Sequence, residues 1–291
     1  MAVSHFHHDQ IAEVGFTVIR GFLSQDEIGK YRAAAQRIVD HARAGKWKDV
    51  RTRGKQFPPW PENYSPDIWG VGGLMHPQLG DMSVPFQELY SDTKLLDVAG
   101  DILQTDNRGL ALELFNMLIN PLTDFELDWH RDSIKPEVSP QEEAEQLLAD
   151  PYAGTQFNLA LTDDKCLIVV PGSHKRLRTA EERDKTTDDS RKKPISGQIT
   201  VDLRPGDIVF YNNNILHRAA YSSKAVRLTL HGSYGHRAHG KARARGVLQH
   251  GVGQWLDEFR PVNRNMGHLA DGLKAVVEEF KGQDLGYAQD T

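Results

Sequence analysis

Apolar and polar residues alternate over residues 14–20, a pattern that predicts a strand. Soon afterwards, Ser24 and Glu27 form a capping-box pattern, in which the serine and glutamate side chains satisfy backbone N–H groups at a helix start. Apolar residues then recur at helical spacing, at Ile28, Tyr31, Ala35, Ile38 and Val39. The chain therefore opens with a predicted strand followed by a helix of about 18 residues from Gln25.

Residues 44–85 show neither the alternation of a strand nor the spacing of a helix. The segment contains six prolines and three tryptophans, Trp47, Trp60 and Trp69. A long segment of this kind is an active-site wall, a lid or a disordered insert. Disordered segments are poor in aromatic residues, so the tryptophans favour an ordered wall. Helical spacing returns over residues 86–103.

Short apolar runs separated by turn residues follow from Gly109 onward. The predicted strands cover residues 110–119, 126–130, 155–161, 166–170, 198–203, 207–211 and 226–234. A helix opened by Ser139 and Pro140 interrupts the series, and a further helix is predicted at 269–280. The polar stretch 183–193, within the unassigned segment 175–197, is interpreted as a solvated loop, with a cover over the site as the alternative.

This order of elements predicts a mainly β fold with flanking helices, whose core is a barrel or a double-sheet jelly roll. We expect a single domain over 1–291. It would comprise a helical N-terminal part (1–108), a jelly-roll core (about 109–235) and a C-terminal helical extension (236–291).

Composition narrows the function classes. The chain has 291 residues and a net charge of −5, which disfavours a strongly basic nucleic-acid binder or a polybasic membrane protein. A single cysteine excludes an internal disulfide framework. No apolar run is long enough for a transmembrane helix and no signal-peptide core opens the chain, so we expect a cytoplasmic protein. The 13 histidines raise the question of a metal.

The sharpest local pattern is Asp-Trp-His-Arg-Asp at residues 128–132. In an extended chain, residues two apart point to the same side, so His130 and Asp132 can bind one metal ion together. His217 is the best candidate for a third ligand. Two histidines and one carboxylate on one face, with three positions open, are the facial triad of non-haem Fe(II) oxygenases.

In one large group of these enzymes the open positions take 2-oxoglutarate, whose far carboxylate needs a fixed cation. Arg227, ten residues after His217, suits this role because its planar guanidinium pairs bidentately with a carboxylate. Thr229 shares its face of the predicted strand. Either histidine alone is more typical of a structural or surface residue, but their occurrence with Asp132 and Arg227 favours ligation.

The motifs GFTVIRGFLS, DWHRD, CLIVVPGSHK, LRPGDIVFY and LHRAAYSSKAVRL stand in this order between about residue 9 and residue 235. In this ordered set the chain resembles the phytanoyl-CoA dioxygenase family of Fe(II)/2-oxoglutarate-dependent oxygenases. The resemblance implies a double-stranded β-helix, iron ligands at His130, Asp132 and His217, and Arg227 on the far carboxylate of 2-oxoglutarate. It also places Asn158 near the co-substrate. The chain has Ala219 where relatives can place a hydroxyl.

Other candidate residues have simpler interpretations. His174 of the Pro-Gly-Ser-His motif is interpreted as structural, and Cys166 as a small buried apolar residue. His231 is equally compatible with a site role and a core role. The N-terminal histidines His5, His7 and His8 are interpreted as a solvated terminus and not as a metal site. The local basic stretch is interpreted as a charged helix or loop, with anion or nucleic-acid binding as the alternative, and comprises Arg237, Lys241, Arg243 and Arg245.

The expected function is oxidation of a hydrophobic small molecule, with Fe(2+), 2-oxoglutarate and O2, by hydroxylation, desaturation or rearrangement. A secondary-metabolite intermediate is favoured over an acyl-CoA, because no basic cluster for a CoA moiety is obvious. The substrate contacts are expected at Trp69, Met117 and Ile134, with Trp60 as a further wall residue. A homodimer is compatible with such folds. A non-catalytic jelly-roll binding subunit and a cupin-like metal enzyme without 2-oxoglutarate are the alternatives.

Overall fold

The structure, a computed structural model, describes residues 5–60, 65–187 and 192–285. Its α-helices are α1 (Phe6–Val14), α2 (Gln25–Arg43), α3 (Val84–Tyr90), α4 (Thr93–Leu103), α5 (Pro140–Ala149), α6 (Ala180–Thr187), α7 (Gly240–Leu248) and α8 (Arg264–Glu279). No helix among these described residues is long and apolar enough to cross a bilayer.

The strands form two antiparallel sheets. They are β1 (Phe16–Ile19), β2 (Val50–Thr52), β3 (Ile68–Val71), β4 (Leu110–Ile119), β5 (Phe125–Glu126), β6 (Gly154–Ala160), β7 (Leu167–Val170), β8 (Ile199–Thr200), β9 (Ile208–Tyr211), β10 (Leu216–Tyr221) and β11 (Leu228–His236). The larger sheet has the order β1-β9-β6-β11-β4-β3-β2, and the smaller one β5-β10-β7-β8. The expected jelly-roll core with flanking helices is confirmed.

The main apolar core lies between the helices and the larger sheet. Helix α8 packs on β4, and α2, α3 and α4 cover neighbouring parts of the sheet. Two phenylalanines of the sheet, Phe115 and Phe157, are fully buried there with Leu230 of β11. Gly232 of β11 permits this packing, because a Cβ atom at that position would lie 2.5 Å from the Phe157 ring. The helices thus fix one face of the sheet, and its other face is left for the smaller sheet.

Several local predictions are confirmed. The serine and glutamate of the capping box start α2 as expected, with both hydrogen bonds formed. Ser139 caps α5 in the same way, with Glu142 as its partner. The predicted helix at residues 86–103 is divided into α3 and α4, because α3 ends at Tyr90 with Ser91 as its C-cap and the Asp92 side chain then caps α4.

Four predictions differ from the structure. The N-terminal part contains the predicted strand β1, but also β2 and β3 within the segment 44–85, where no strand was predicted, and all three join the larger sheet. The N-terminal histidines belong to α1 and its cap, where His7 and His8 approach Asp101 and the end of α4, so the segment is not simply solvated. Part of the polar stretch 183–193 forms α6, and residues 188–191 lie outside the described residues. Strand β10 was not predicted, because its sequence LHRAAY shows no alternation.

Candidate metal centre and its cavity

Three side chains from distant parts of the chain meet at one point between the sheets. His130 precedes Asp132 in the segment after β5, and His217 lies on β10, which was not predicted as a strand. Two backbone hydrogen bonds of 3.1 Å join His130 and His217, so the backbone itself brings the imidazoles together. The Oδ1 atom of Asp132 lies 3.6 Å from the Nε2 atom of each histidine. Potential ligand atoms of these residues lie within 4.8 Å of one another, as one metal ion requires.

The backbone also orients both imidazoles. The Nδ1 atom of His130 donates to the carbonyl of Asp128 at 2.7 Å, and Nδ1 of His217 donates to the carbonyl of Ile215 at 2.8 Å. A carbonyl only accepts, so each Nδ1 carries a proton, and in the neutral form of either ring the Nε2 lone pair is directed at the common point. Such outer hydrogen bonds are the usual way in which metal-binding histidines are oriented.

The electrostatics keep Asp132 ionised. Burial alone would raise its pKa, but His217, His130 and the amide of Gln156 together hold the pKa of Asp132 well below its usual range. The Gln156 amide donates to the Oδ2 atom of Asp132. Burial, with the neighbouring His130, lowers the pKa of His217 to about 4. The cluster therefore offers a carboxylate and at least one neutral imidazole at neutral pH, a donor set that fits a divalent iron ion.

The residue between the two ligands of the HxD pair is held by a buried charge network. The Arg131 guanidinium donates to the carbonyls of Ser173 and Asn214, and it lies 3.2 Å from the Glu143 carboxylate of α5. Glu143 is fully buried and also pairs with Arg178 at 3.1 Å and with an arginine of α6 at 2.6 Å. The inserted helix α5 therefore anchors the segment that carries His130 and Asp132.

We expect Glu143→Gln to destabilise the protein and to weaken metal binding together. The glutamine keeps the shape but leaves buried guanidinium groups without their counter-charge, which costs about 3–5 kcal/mol. Metal affinity should fall by about 10-fold or more, as for other partners that orient ligands. Urea denaturation and metal titration measure the two effects. The exposed Glu145→Gln on the same helix is the control, and equal behaviour of both variants would contradict the role of Glu143.

Arg227 is placed at the other end of the same cavity, directly before β11. Its Nε and Nη2 atoms both contact Oδ2 of Asp164, at 3.0 and 2.9 Å, and its guanidinium lies 4.7 Å from the centre of the Tyr221 ring. Asp164 in turn accepts the hydroxyl proton of Thr229 at 2.6 Å. The Nη1 atom of Arg227 is buried without a hydrogen-bond partner in the described part of the chain. A fixed guanidinium with an unsatisfied donor is what the far carboxylate of a small dicarboxylate needs.

Both sheets and the C-terminal helical region line this cavity. The larger sheet contributes Asn158 and His231, which are joined by a hydrogen bond of 2.9 Å between Oδ1 and Nδ1. The C-terminal region contributes Arg243, on α7, and His250, just beyond that helix. Arg243 of the basic stretch is therefore not solvated, and it forms a buried ion pair of 2.6 Å with Glu113 of β4.

The predicted contact residues lie in different environments, and only some of them line the cavity. Asn158 and Trp69 line the cavity. Thr229 is fully buried and its hydroxyl is directed at Asp164. Met117 is in the core beneath the helices, because on β4 the residues of the opposite parity, such as Leu118, face the cavity. Ile134 lines a neighbouring groove that shares Trp69 and His130 with the cavity.

Several residues of the site were missed by sequence reasoning. Gln156 could have been found, because it lies two positions before Asn158 on the same face of a predicted strand. Asp164 follows that strand in a short turn and carries no distinctive signal. Arg51 lies in the segment 44–85, which was predicted as an active-site wall but without strands or named site residues, and His250 lies in a segment for which no site role was predicted.

His174 of the Pro-Gly-Ser-His motif lies away from the cluster. Gly15, with φ of +88°, approaches the ring so closely that a Cβ atom there would lie 2.6 Å from Nδ1 of His174. Burial lowers the pKa of His174 to about 4. Cys166 is also inert at neutral pH, since burial raises the pKa of its thiol to about 12. Both placements agree with structural interpretations.

The neutral state of His174 predicts a pH-dependent stability. Unfolding releases the ring to its ordinary pKa of 6.5, so the unfolded chain binds more protons below that pH. The free energy of unfolding should therefore fall as the pH drops from 6.5 towards 4, by less than about 1.4 kcal/mol per pH unit. Urea denaturation at several pH values should show a smaller slope for His174→Gln than for the unchanged protein. Identical slopes would contradict this.

Comparison with known proteins agrees with the geometry. The fold is the jelly roll of the Fe(II)/2-oxoglutarate-dependent oxygenases. Residues 11–229 match the model of the family described as phytanoyl-CoA dioxygenase (PhyH), and the chain belongs to this family. No curated protein matched the sequence itself.

Solved structures share the fold at low sequence identity. HygX from Streptomyces hygroscopicus, solved with nickel and 2-oxoglutarate bound, has a TM-score of 0.57 and 19% identity, covering 80% of this chain and 87% of its own. EctD from S. alaskensis, solved with 2-oxoglutarate and 5-hydroxyectoine, has a TM-score of 0.57 and 17% identity, covering 81% and 77%. The α-ketoglutarate-dependent epimerase SnoN from nogalamycin biosynthesis has a TM-score of 0.53 and 19% identity, covering 79% and 81%.

Proposed function

We propose that this protein is an Fe(II)/2-oxoglutarate-dependent oxygenase that oxidises a hydrophobic small molecule, an intermediate of secondary metabolism, with release of succinate and CO2. The single observation that carries the proposal is the convergence of His130, Asp132 and His217 in a cavity that Arg227 also lines. Two of the solved structures support a small-molecule substrate, since EctD was solved with 5-hydroxyectoine and SnoN acts in nogalamycin biosynthesis.

Each residue of the proposed machinery has one task. His130, Asp132 and His217 would hold iron on one side and leave the opposite side open for 2-oxoglutarate and O2. Bound iron, 2-oxoglutarate and O2 would supply the oxidising power to remove a hydrogen atom from an unactivated carbon, while 2-oxoglutarate becomes succinate and CO2.

The surrounding residues position these groups. Gln156 fixes the rotamer of Asp132 through its amide. Arg227, already held by Asp164, would bind the far carboxylate of 2-oxoglutarate through its unsatisfied Nη1. Aromatic and aliphatic side chains such as Phe57, Trp69 and Leu118 line the remaining wall and exclude water from the oxidising centre. Placement of the substrate carbon relative to iron would decide between hydroxylation, desaturation and rearrangement.

A turnover assay tests the proposal directly. The protein is incubated with Fe(II), 2-oxoglutarate and O2, and the succinate formed is measured. We expect succinate that depends on all three additions. No succinate, together with no metal-dependent binding of 2-oxoglutarate, would favour a non-catalytic binding subunit. Metal-dependent activity without 2-oxoglutarate would favour a cupin-like enzyme.

A further inference from the structure

Four arginines line the cavity, and they differ in their counter-charges. Arg218 pairs with Glu126 at 2.7 Å, Arg227 with Asp164 at 2.9 Å and Arg243 with Glu113 at 2.6 Å. The Nε atom of Arg51, on β2, is buried without a hydrogen-bond partner, and its guanidinium forms no ion pair within residues 5–60, 65–187 and 192–285; Asp132 acts on its charge only from beyond ion-pair distance. A buried cation without an ion-pair partner lowers the stability of the folded protein, and binding of an anionic ligand would offset this cost.

The chain makes specific room for Arg51. Its side chain, only 8% exposed, passes over Gly70 of the neighbouring strand, where a Cβ atom would lie 3.0 Å from Cδ of Arg51. Its guanidinium lies 5.5 Å from the centre of the Trp69 ring. Trp69 packs against Tyr221, and Tyr221 in turn lies under Arg227. Two neighbouring aromatic rings therefore lie between the two guanidinium groups.

The expected contents of the cavity leave Arg51 available. The carboxylates of 2-oxoglutarate are accounted for by iron and by Arg227 under the proposed function. The charge of Asp132 is engaged by the two imidazoles and the Gln156 amide. The Trp69 ring lies beside the Arg51 guanidinium, and the cavity that both line also has Phe57 and Leu118 in its wall, together with polar residues such as His231 and His250. An anion with an apolar body would satisfy both features.

We propose that the primary substrate carries an anionic group, of the carboxylate class, that binds Arg51 while its apolar part lies against the aromatic wall. This inference rests on the proposed function and narrows its substrate to amphipathic acids. Arg51 is contributed by the N-terminal segment 44–85, so that segment acts in substrate recognition as well as forming a wall.

Matched pairs of ligands test the proposal. The full-length protein, loaded anaerobically with Fe(II) and saturated with 2-oxoglutarate, is titrated calorimetrically with phenylacetate, cyclohexanecarboxylate and hexanoate, each against its primary amide. At least one carboxylate should bind about tenfold or more tightly than its amide, as a charge-assisted pair predicts. Arg51→Gln should reduce this ratio below about twofold, and Arg51→Lys should retain part of it. Exposed Arg37→Gln on α2 is the charge-matched control.

The outcomes separate this inference from the proposed function. If the unchanged protein does not bind 2-oxoglutarate in a metal-dependent manner, the proposed function fails. If it does, but no carboxylate is preferred over its amide, or neither binds, the role of Arg51 is overturned. A tenfold loss of 2-oxoglutarate affinity in Arg51→Gln would assign Arg51 to the co-substrate instead, which also overturns the inference.

Stability gives an independent readout. If Arg51 serves a ligand, Arg51→Gln should leave the unfolding temperature of the ligand-free protein unchanged or higher, because it removes an uncompensated charge. Arg243→Gln leaves the buried Glu113 carboxylate without its counter-charge, and it should instead lower the unfolding temperature by about 6 °C or more. A comparable decrease for Arg51→Gln would show a structural role and contradict the proposal.

Discussion

Replacing Asp132 by alanine is expected to abolish turnover and to lower iron affinity by more than about 100-fold. Loss of an outer partner of a metal ligand alone typically costs 10–100-fold, and Asp132 is the only carboxylate in the cluster. Two imidazoles would remain, without the negative charge that balances a divalent ion. Metal content after anaerobic loading and succinate formation are the measurements.

The control for this variant is Asp163→Ala, which removes an exposed carboxylate that is not part of the cluster. It should keep both iron content and turnover. Unchanged iron content in Asp132→Ala would contradict the ligand assignment, whatever happens to activity. Loss of iron with the fold retained would support it.

Removal of Arg227 is expected to cause the second large effect, a loss of 2-oxoglutarate affinity of about 100-fold or more. Breaking a buried, hydrogen-bonded charge contact costs about 2–5 kcal/mol. Arg227→Met alone also leaves the buried Asp164 carboxylate without its counter-charge and should destabilise the protein by about 3–5 kcal/mol. The single variant therefore changes the 2-oxoglutarate affinity and the free energy of unfolding at the same time.

A double variant separates the two contributions. Arg227→Met combined with Asp164→Asn removes both charges, so stability should largely return while 2-oxoglutarate affinity does not. Arg227→Lys keeps the charge but loses the planar fork, and we expect an intermediate loss of about tenfold. Affinity is measured by anaerobic titration of the metal-loaded protein, and stability by urea denaturation. If the double variant binds 2-oxoglutarate within twofold of the unchanged protein, the assignment of Arg227 is wrong.

The C-terminal region contributes lining residues to the cavity that lie outside the range matched by the family model. Residues 11–229 include the proposed iron ligands and Arg227, whereas Arg243 and His250 of the cavity wall follow that range. Related enzymes can share the oxidising centre while the walls around it differ, because binding of the substrate body is separable from the chemistry. We therefore expect the C-terminal helices to contribute to substrate choice.

The sequence by itself determined the elements and motifs whose signals are local. The capping boxes of α2 and α5 and the long strand β4 were predictable, because a few adjacent residues encode each of them. The spacing of His130 and Asp132 likewise shows that both can face one side, since strand geometry has a period of two.

Tertiary structure alone decided which distant residues meet. The register of β10 brings His217 to His130, and Asp164 reaches Arg227 across a turn. The parity of β4 puts Leu118 instead of Met117 in the cavity. The pairing of β2 with β3 places the Arg51 side chain over Gly70 and beside Trp69, without an ion pair in the described part of the chain. Such facts depend on contacts between residues far apart in the chain, and no local pattern of polarity or size encodes them.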